Sequence, residues 1–287
     1  METRPARWHR NHEKGFRMTV QTDEEYFAIL SGYIQVCAKY KPKLGHGAKA
    51  GYELEEFQRI YRSDPFYSWL GLDNPLMYAA HKAAGGMTSI YRQIGIGCES
   101  LFRRILQDQL GLSDEDVRWS YSLPRSGRGK ARRLHLDARI PISRIADSVQ
   151  RRRVRSWMRK AAKRIDVDSA VAKTLQGIVF EIRQGYKSKD SKRQNADIAN
   201  AATAYTKGLL PCAGILSLQI DEDIAQRYRN ERWVLLTGLT GRVSSGESFY
   251  GFCKDVLGYD LAGFFQRNSP ALKKEVEAVL SALLAPS

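Results

Sequence analysis

The sequence lacks the features of a membrane-spanning, secreted or zinc-binding protein. No apolar run approaches the length of a transmembrane span, and the residues METRPARWHRNHEKGFRM at the N-terminus contain no apolar signal-peptide core. The four cysteines are scattered, with no CxxC pair and no neighbouring histidine. These absences predict a reduced, cytoplasmic protein. With 287 residues, 43% of them hydrophobic, the chain is long enough to form a globular core.

Acidic residues are scarce in one segment. Residues 124–164 contain fifteen Lys or Arg but only Asp137 and Asp147 as acids, in a chain whose net charge is +15. Such a local excess attracts polyanions, and guanidinium groups suit phosphate oxygens. A solvated basic face or a patch for anionic membranes would have the same composition, but no amphipathic membrane pattern accompanies it. The composition therefore favours nucleic acid as the partner.

Hydrophobic periodicity predicts an α/β fold whose mixed central sheet, an antiparallel hairpin plus parallel strands, is flanked by helices. The N-terminal region is predicted to be largely helical. Helices are expected at residues 23–39, 75–86, 88–110 and 150–163. Strands are expected at residues 118–124, 132–142, 213–221 and 233–239. Gly85 and Gly86 are expected to end the second helix, and Gly95 and Gly97 to break the third.

The segment from Arg164 to Ile198 carries the most informative pattern. It is interpreted as a strand with acids at its start, a turn at Thr174–Gly177, a strand containing Glu181, and a basic helix. In this hairpin Asp168 would lie opposite Arg183 and share a face with Glu181. Two carboxylates in such a position repel each other unless a proton or a metal lies between them, and their oxygens suit Mg²⁺.

An exposed sheet edge with solvated acids is the alternative interpretation of this pair. It is weakened because Glu181 lies within the apolar run VFEI, which indicates a buried strand, and a buried carboxylate requires a partner. Asp166 would share the face of Asp168, so either residue could be the first acid of the pair.

These motifs resemble those of a known nuclease group. VDSAV and FEIR match the two parts of the hairpin motif of the PD-(D/E)XK nuclease superfamily, and the helix YKSKDSKRQNADIANA and a strand follow as they do there. GIGCESLFRRILQDQLG matches an upstream helix that carries an acid, here Glu99. Over roughly residues 88–240 the chain therefore resembles type II restriction endonucleases of this superfamily.

The resemblance implies a Mg²⁺-dependent, sequence-specific endonuclease that cleaves double-stranded DNA as a homodimer. Asp168 and Glu181 would be the metal ligands, Glu99 an accessory acid, and Arg183 a group that stabilises charge on the phosphate. Residues 88–287 would form the nuclease core, with the basic segment 124–164 contacting DNA. Residues 1–87 would form a helical region for DNA recognition or dimerisation.

One departure from the family leaves alternatives open. The family has lysine two residues after the second acid, where this chain has Arg183, which stays protonated and is a poor base. Gln184, Lys187 or Lys189 could take that role instead. A DNA-binding protein without catalysis, or a repair or recombination nuclease of the same superfamily, therefore remains an alternative to a restriction enzyme.

Candidate DNA-contacting residues fall in the basic loop after residue 124, the basic helix at residues 150–163 and the helix after Glu181. Arg and Lys suit phosphates and guanine, while Gln suits adenine. A solvated helix face is the alternative for each of them. The candidates are Arg125, Arg128, Lys130, Arg151, Arg152, Arg153, Lys187, Lys189, Lys192, Arg193 and Gln194.

Overall fold

The computed structural model describes residues 22–43, 50–123, 132–185 and 200–285. The chain divides into two compact units. One comprises Met1–Gly97 with Gln266–Ser287, and the other comprises Cys98–Phe265. The long helix α4 (Pro75–Leu110) and the helix α11 (Leu261–Leu284) each contribute residues to both units.

The first unit is helical in its described residues, as the sequence predicts for the N-terminal region. Its elements are α1 (22–35), a 3₁₀ turn (Val36–Lys39), α2 (Leu54–Ser63), α3 (Pro65–Trp69) and parts of α4 and α11. A buried apolar cluster joins α1, the 3₁₀ turn, α4 and α11, and it is formed by Ile34, Cys37, Ile90, Val279 and Leu283.

Helix α4 is continuous, so the prediction that glycines end and break helices within it is wrong. Gly85 and Gly86 lie inside the helix, where a Cβ atom would collide with Tyr40 and Leu283 respectively. These two glycines therefore permit close packing rather than ending the helix. Gly95 has open space around its Cα atom, and the helix continues through it.

The described residues of the second unit form two sheets and their flanking helices. After α4 it continues through α5 (Asp114–Val117), β1 (Trp119–Leu123), β2 (Arg132–Leu136), β3 (Ala138–Pro141), α6 (Ser148–Arg164), α7 (Ser169–Thr174) and β4 (Gly177–Arg183). It then continues through α8 (200–206), β5 (Leu209–Ile215), α9 (Glu222–Asn230), β6 (Val234–Leu236), and α10 (Phe249–Gly251) with a π-helix (Phe252–Leu257).

The larger sheet is mixed, as predicted. Its strand order is β3-β4-β5-β6, in which β3 and β4 are antiparallel while β4, β5 and β6 run parallel. Strands β1 and β2 form a separate antiparallel pair. The parallel connection from β4 to β5 contains α8, in agreement with the helical crossover expected after Glu181.

The predicted hairpin partner of β4 is wrong. Residues 165–176 form no strand. Asp168 instead caps α7, and its Oδ1 atom accepts hydrogen bonds from the amides of Ala170 (2.8 Å) and Val171 (3.2 Å). Local capping satisfies these amides in place of a strand partner. The antiparallel neighbour of β4 is β3, which pairs Ala138 with Phe180.

The two faces of β4 pack against different elements. The Phe180 ring contacts the rings of Phe102 in α4 and Phe252 in the π-helix, with centroids 5.0 and 5.4 Å away. The adjacent Val179 belongs to a cluster on the other face that includes Trp119 of β1. Because side chains alternate along a strand, Glu181 and Arg183 share the face of Val179.

Candidate active site

Glu181 and Arg183 form a buried ion pair on the central strand β4. Their side chains are 7% and 10% exposed, and the guanidinium Nη2 of Arg183 contacts Oε1 of Glu181. The spacing of two residues puts both on one face of the strand, as the sequence predicts. Burial requires that a carboxylate and a guanidinium be paired, and each supplies the opposite charge that keeps the other ionised.

Asp137 is the acid that lies beside Glu181. It occupies the bend between β2 and β3 and is half-buried. Its amide donates to the carbonyl of Phe180 (2.9 Å), and its Oδ2 atom accepts a hydrogen bond from the amide of Ile182 (2.7 Å). Asp137 therefore contacts the main chain on both sides of Glu181, whereas the sequence predicted Asp168, opposite Arg183, as the nearby acid.

Arg103 of α4 holds the Asp137 bend in place. Its Nη1 atom donates to the carbonyl of Asp137 at 2.8 Å, and its Nη2 atom donates to Oγ of Ser100 at 3.2 Å. Sequence reasoning missed both Asp137 and Arg103. The available signal was the run LDARIPI, where an acid immediately precedes the apolar alternation of a strand.

Asp168 and Asp166 do not join this pair. Asp168 is exposed and occupied by capping α7, while Asp166 is exposed in the turn after α6 with a φ of 53°. Neither lies on a strand, so the placement of Asp168 opposite Arg183 is wrong. The role of Asp168 as a metal ligand was implied by the resemblance to the nuclease family and stays a prediction.

Glu99 lies on α4, one helical turn before Arg103, and is half-buried. Because α4 packs against the Phe180 face through Phe102, it covers the face of β4 opposite to Glu181. The pKa of the neighbouring Cys98 thiol rises to about 12, first because of burial and second because of the charge of Glu99. The accessory role of Glu99 stays a prediction.

Two further polar side chains occur on the Glu181 face. Asn200, which is 5% exposed at the start of α8, accepts a hydrogen bond from the hydroxyl of Tyr121 through its Oδ1 atom (2.6 Å). Ala201, the next residue of α8, and Val179 of β4 belong to the same buried cluster. This hydrogen bond fixes the β1–β2 pair to α8, and the sequence pattern did not single out either residue.

The donor set near Glu181 consists of carboxylates. In the described ranges, no three or more His, Cys, Asp or Glu side chains converge as a metal-binding group. Mg²⁺ usually needs only one or two carboxylates, since water and substrate phosphates complete its six positions. Asp137 and Glu181 supply two carboxylates, each with one oxygen already engaged, Oδ2 of Asp137 by the amide of Ile182 and Oε1 of Glu181 by Arg183.

The structure describes four of the remaining candidate residues. Arg152 and Arg153 are exposed on α6, whereas Arg151 is half-buried and donates from Nη1 to the carbonyl of Ile145 (3.2 Å). Gln184 follows the last residue of β4 and is half-buried. The other candidates lie outside the described residues: Arg125, Arg128, Lys130, Lys187, Lys189, Lys192, Arg193 and Gln194.

Comparison of the chain with protein-family profiles, with curated proteins and with solved structures finds no match. Within the part of the chain that the structure describes, no helix combines the length and apolar character needed to cross a bilayer.

Proposed function

We propose that the protein is a Mg²⁺-dependent endonuclease that cleaves double-stranded DNA, with Asp137 and Glu181 as its acidic pair. The contact of Asp137 with the main chain on both sides of Glu181 carries this proposal. An antiparallel strand pair with Asp137 at its edge and Glu181 within it, followed by a helix and a parallel strand, is similar to the order that the resemblance implies, although α6 and α7 lie between the two strands. The proposal keeps Glu181 and replaces Asp168 by Asp137.

The proposed chemistry follows from charge and burial. Asp137 and Glu181 would hold Mg²⁺, which when bound supplies polarisation of the phosphoryl oxygen and lowers the pKa of a coordinated water. Arg183 remains protonated, keeps Glu181 ionised and stabilises negative charge on the phosphate. Arg103 positions Asp137 through its carbonyl oxygen. Sequence specificity and a homodimeric state are part of the proposal through the resemblance alone.

A non-catalytic DNA-binding protein is the second candidate, and one observation favours it. Arg183 occupies the position at which the PD-(D/E)XK superfamily has lysine, and it forms an ion pair with Glu181, the carboxylate that would bind the metal. An arginine cannot readily accept the proton of an attacking water at neutral pH. In this second function the pair would stabilise the fold, and DNA would bind without being cleaved.

Incubation of supercoiled plasmid with the protein and Mg²⁺ tests the proposal. We expect discrete fragments that disappear when EDTA replaces Mg²⁺. Asp137→Asn and Glu181→Gln should each reduce the cleavage rate at least about a hundredfold, because changes even outside the ligand sphere reduce the activity of metal enzymes by 10–100-fold. Asp168→Asn is the matched control, since asparagine caps a helix as well as aspartate and should leave the rate unchanged.

The outcomes separate the candidates. If Asp168→Asn abolished cleavage while Asp137→Asn kept full activity, Asp168 rather than Asp137 would be the first acid of the site. DNA that is shifted but intact with Mg²⁺ would support the non-catalytic function. Random nicking or a smear would support a repair or recombination nuclease.

A further inference from the structure

The exposed face of α6 carries an unusual concentration of cations. Its buried side is apolar, formed by Val154, Trp157, Met158, Ala161 and Ala162. Its exposed side carries Arg152, Arg153, Arg155, Arg159, Lys160, Lys163 and Arg164, and the helix contains no acid. We call the first six of these residues the α6 basic face.

Protein carboxylates do not neutralise the α6 basic face. Arg164, at the end of the helix, forms an ion pair with Glu247 at 2.7 Å, but among the described residues none of the six cations of the face has a carboxylate partner. Exposed arginines elsewhere in this unit do, such as Arg118 with Asp114 and Arg144 with Asp116. The face therefore keeps its full charge available for an external polyanion.

The cations of this face form ridges along the helix. Arg152, Arg155, Arg159 and Lys163 follow a spacing of three, four and four residues, which places them in one line on the helix surface. Their eleven-residue span is about 16 Å at 1.5 Å per residue. A row of this length can contact several phosphates of a DNA duplex.

The orientation of α6 sets this surface apart from the acidic pair. Trp157 contacts Phe252 (4.6 Å between ring centroids), and Phe252 in turn contacts Phe180, so that α6 packs on the Phe180 side of β4. Glu181 faces the opposite side. The α6 basic face is therefore separate from the site proposed for cleavage.

A membrane surface is a poor match for this face. An interfacial helix inserts an apolar face between lipids, but Val154, Trp157 and Met158 of α6 are buried in the protein. The charge is presented as a straight, rigid row, which suits a linear polymer of phosphates more closely than a lipid layer.

We infer that the α6 basic face binds the phosphate backbone of double-stranded DNA independently of base sequence. The inference rests on the proposed function in naming DNA as the polyanion, but it requires no cleavage. Cations that bind phosphates release counterions from the DNA. Removing one such cation should therefore lower the steepness of the salt dependence by about 0.9 in log K against log salt.

Binding of a fluorescent 30-base-pair duplex with EDTA, measured between 50 and 200 mM KCl, tests the inference. The triple variant Arg152→Gln, Arg155→Gln and Arg159→Gln should reduce the steepness of the salt dependence by about 2 to 3. Two duplexes of different sequence should show the same reduction. Lys207→Gln, Lys273→Gln and Lys274→Gln together form the control, because they remove three exposed cations from elsewhere and should change the steepness by less than 1. An unchanged thermal midpoint shows that each variant is folded.

Equal salt dependence in the α6 variant and in the control would overturn the inference. So would loss of binding to phosphatidylserine vesicles in the α6 variant while duplex binding stayed intact. A cleavage assay in Mg²⁺ shows whether the inference about the α6 basic face or the proposed nuclease function is wrong. Protein that binds through α6 but never cleaves would contradict only the nuclease proposal, whereas cleaving protein with an ineffective α6 substitution would contradict only the inference.

Discussion

The two faces of strand β4 are both buried, but one carries an apolar ring and the other carries two charged side chains. All seven residues of the strand are buried. On one face Phe180 packs edge to face with Phe102, an arrangement that adds to the hydrophobic gain of burying a large ring. On the other face Glu181 and Arg183 have been taken out of water, which costs several kcal/mol per ion before their attraction compensates.

This contrast separates the face of β4 that holds the fold from the face on which cleavage is proposed. A buried ion pair is weak evidence for stability, because well-packed apolar residues of similar volume often stabilise a protein as well or better. The Phe180 face explains why β4 is central to the sheet. The Glu181 face is explained better by a use for the charges, which is the basis for placing the proposed cleavage there.

The largest loss of stability is expected on the aromatic face. Phe180→Ala should lower the free energy of unfolding by about 3–5 kcal/mol, since it removes a fully buried ring and leaves a cavity between α4 and the π-helix. Urea denaturation followed by circular dichroism measures this change. Phe66, which is 60% exposed, provides the control, and Phe66→Ala should stay within about 0.5 kcal/mol of the unmodified protein. A tolerated Phe180→Ala would show that the ring packing does not hold the strand.

The charged face should respond differently to single and paired substitution. Arg183→Met should destabilise the protein by about 3 kcal/mol, because it leaves Glu181 buried without its cation. Glu181→Leu combined with Arg183→Met removes both charges and should restore stability to within about 1 kcal/mol of the unmodified protein. Denaturation curves for the two variants measure the difference. A double variant as unstable as the single one would show that the pair itself stabilises the fold.

Measuring plasmid cleavage by the double variant, Glu181→Leu with Arg183→Met, tests whether the two charges also serve catalysis. If the charges serve catalysis, the double variant should be stable and inactive. Stable protein that still cleaves would remove Glu181 from the proposed site. On the Phe180 face, stability and activity cannot be separated in this way, because substitutions there should reduce activity only by unfolding the protein.

The sequence predicts most of β4 and little of its surroundings. The apolar run VFEI indicates a buried strand, and the two-residue spacing of Glu181 and Arg183 puts them on one face, as the structure confirms. The parallel crossover to β5 is also confirmed. These features depend on local alternation and on a connection length, both of which can be seen in a short window of sequence.

The antiparallel neighbour of β4 could not be predicted from local sequence patterns. Its antiparallel neighbour β3 ends at Pro141 and β4 begins at Gly177, with α6 and α7 between them. A hairpin with the residues immediately before β4 was the shorter connection, but Asp168 is committed to capping α7. Which distant strand pairs with β4 depends on packing of the whole unit, and Asp137 as the neighbour of Glu181 depends on that pairing.

The last prediction concerns Tyr250, whose ionisation should make the free energy of unfolding depend on pH. Tyr250, which follows Phe249, donates its hydroxyl to the carbonyl of Leu216 at 2.9 Å, and burial raises its pKa to about 12. The unfolded chain loses this proton near pH 10, so the stabilising contribution of the neutral hydroxyl is complete below pH 10 and is lost as the pH rises towards 12. The free energy of unfolding should therefore fall by up to about 1.4 kcal/mol per pH unit in that window.

Tyr250→Phe tests this dependence. At pH 7 the variant should be less stable by about 1 kcal/mol, because the Leu216 carbonyl loses a hydrogen bond. Between pH 10 and 12 its stability should fall less steeply than that of the unmodified protein in urea denaturation. Burial also raises the pKa values of the Cys98, Cys212 and Cys253 thiols and of the Tyr205 hydroxyl, and these groups remain in the variant and contribute a residual fall. Parallel curves for the two proteins would mean that Tyr250 titrates alike in the folded and unfolded chains, and that other groups cause the alkaline loss of stability.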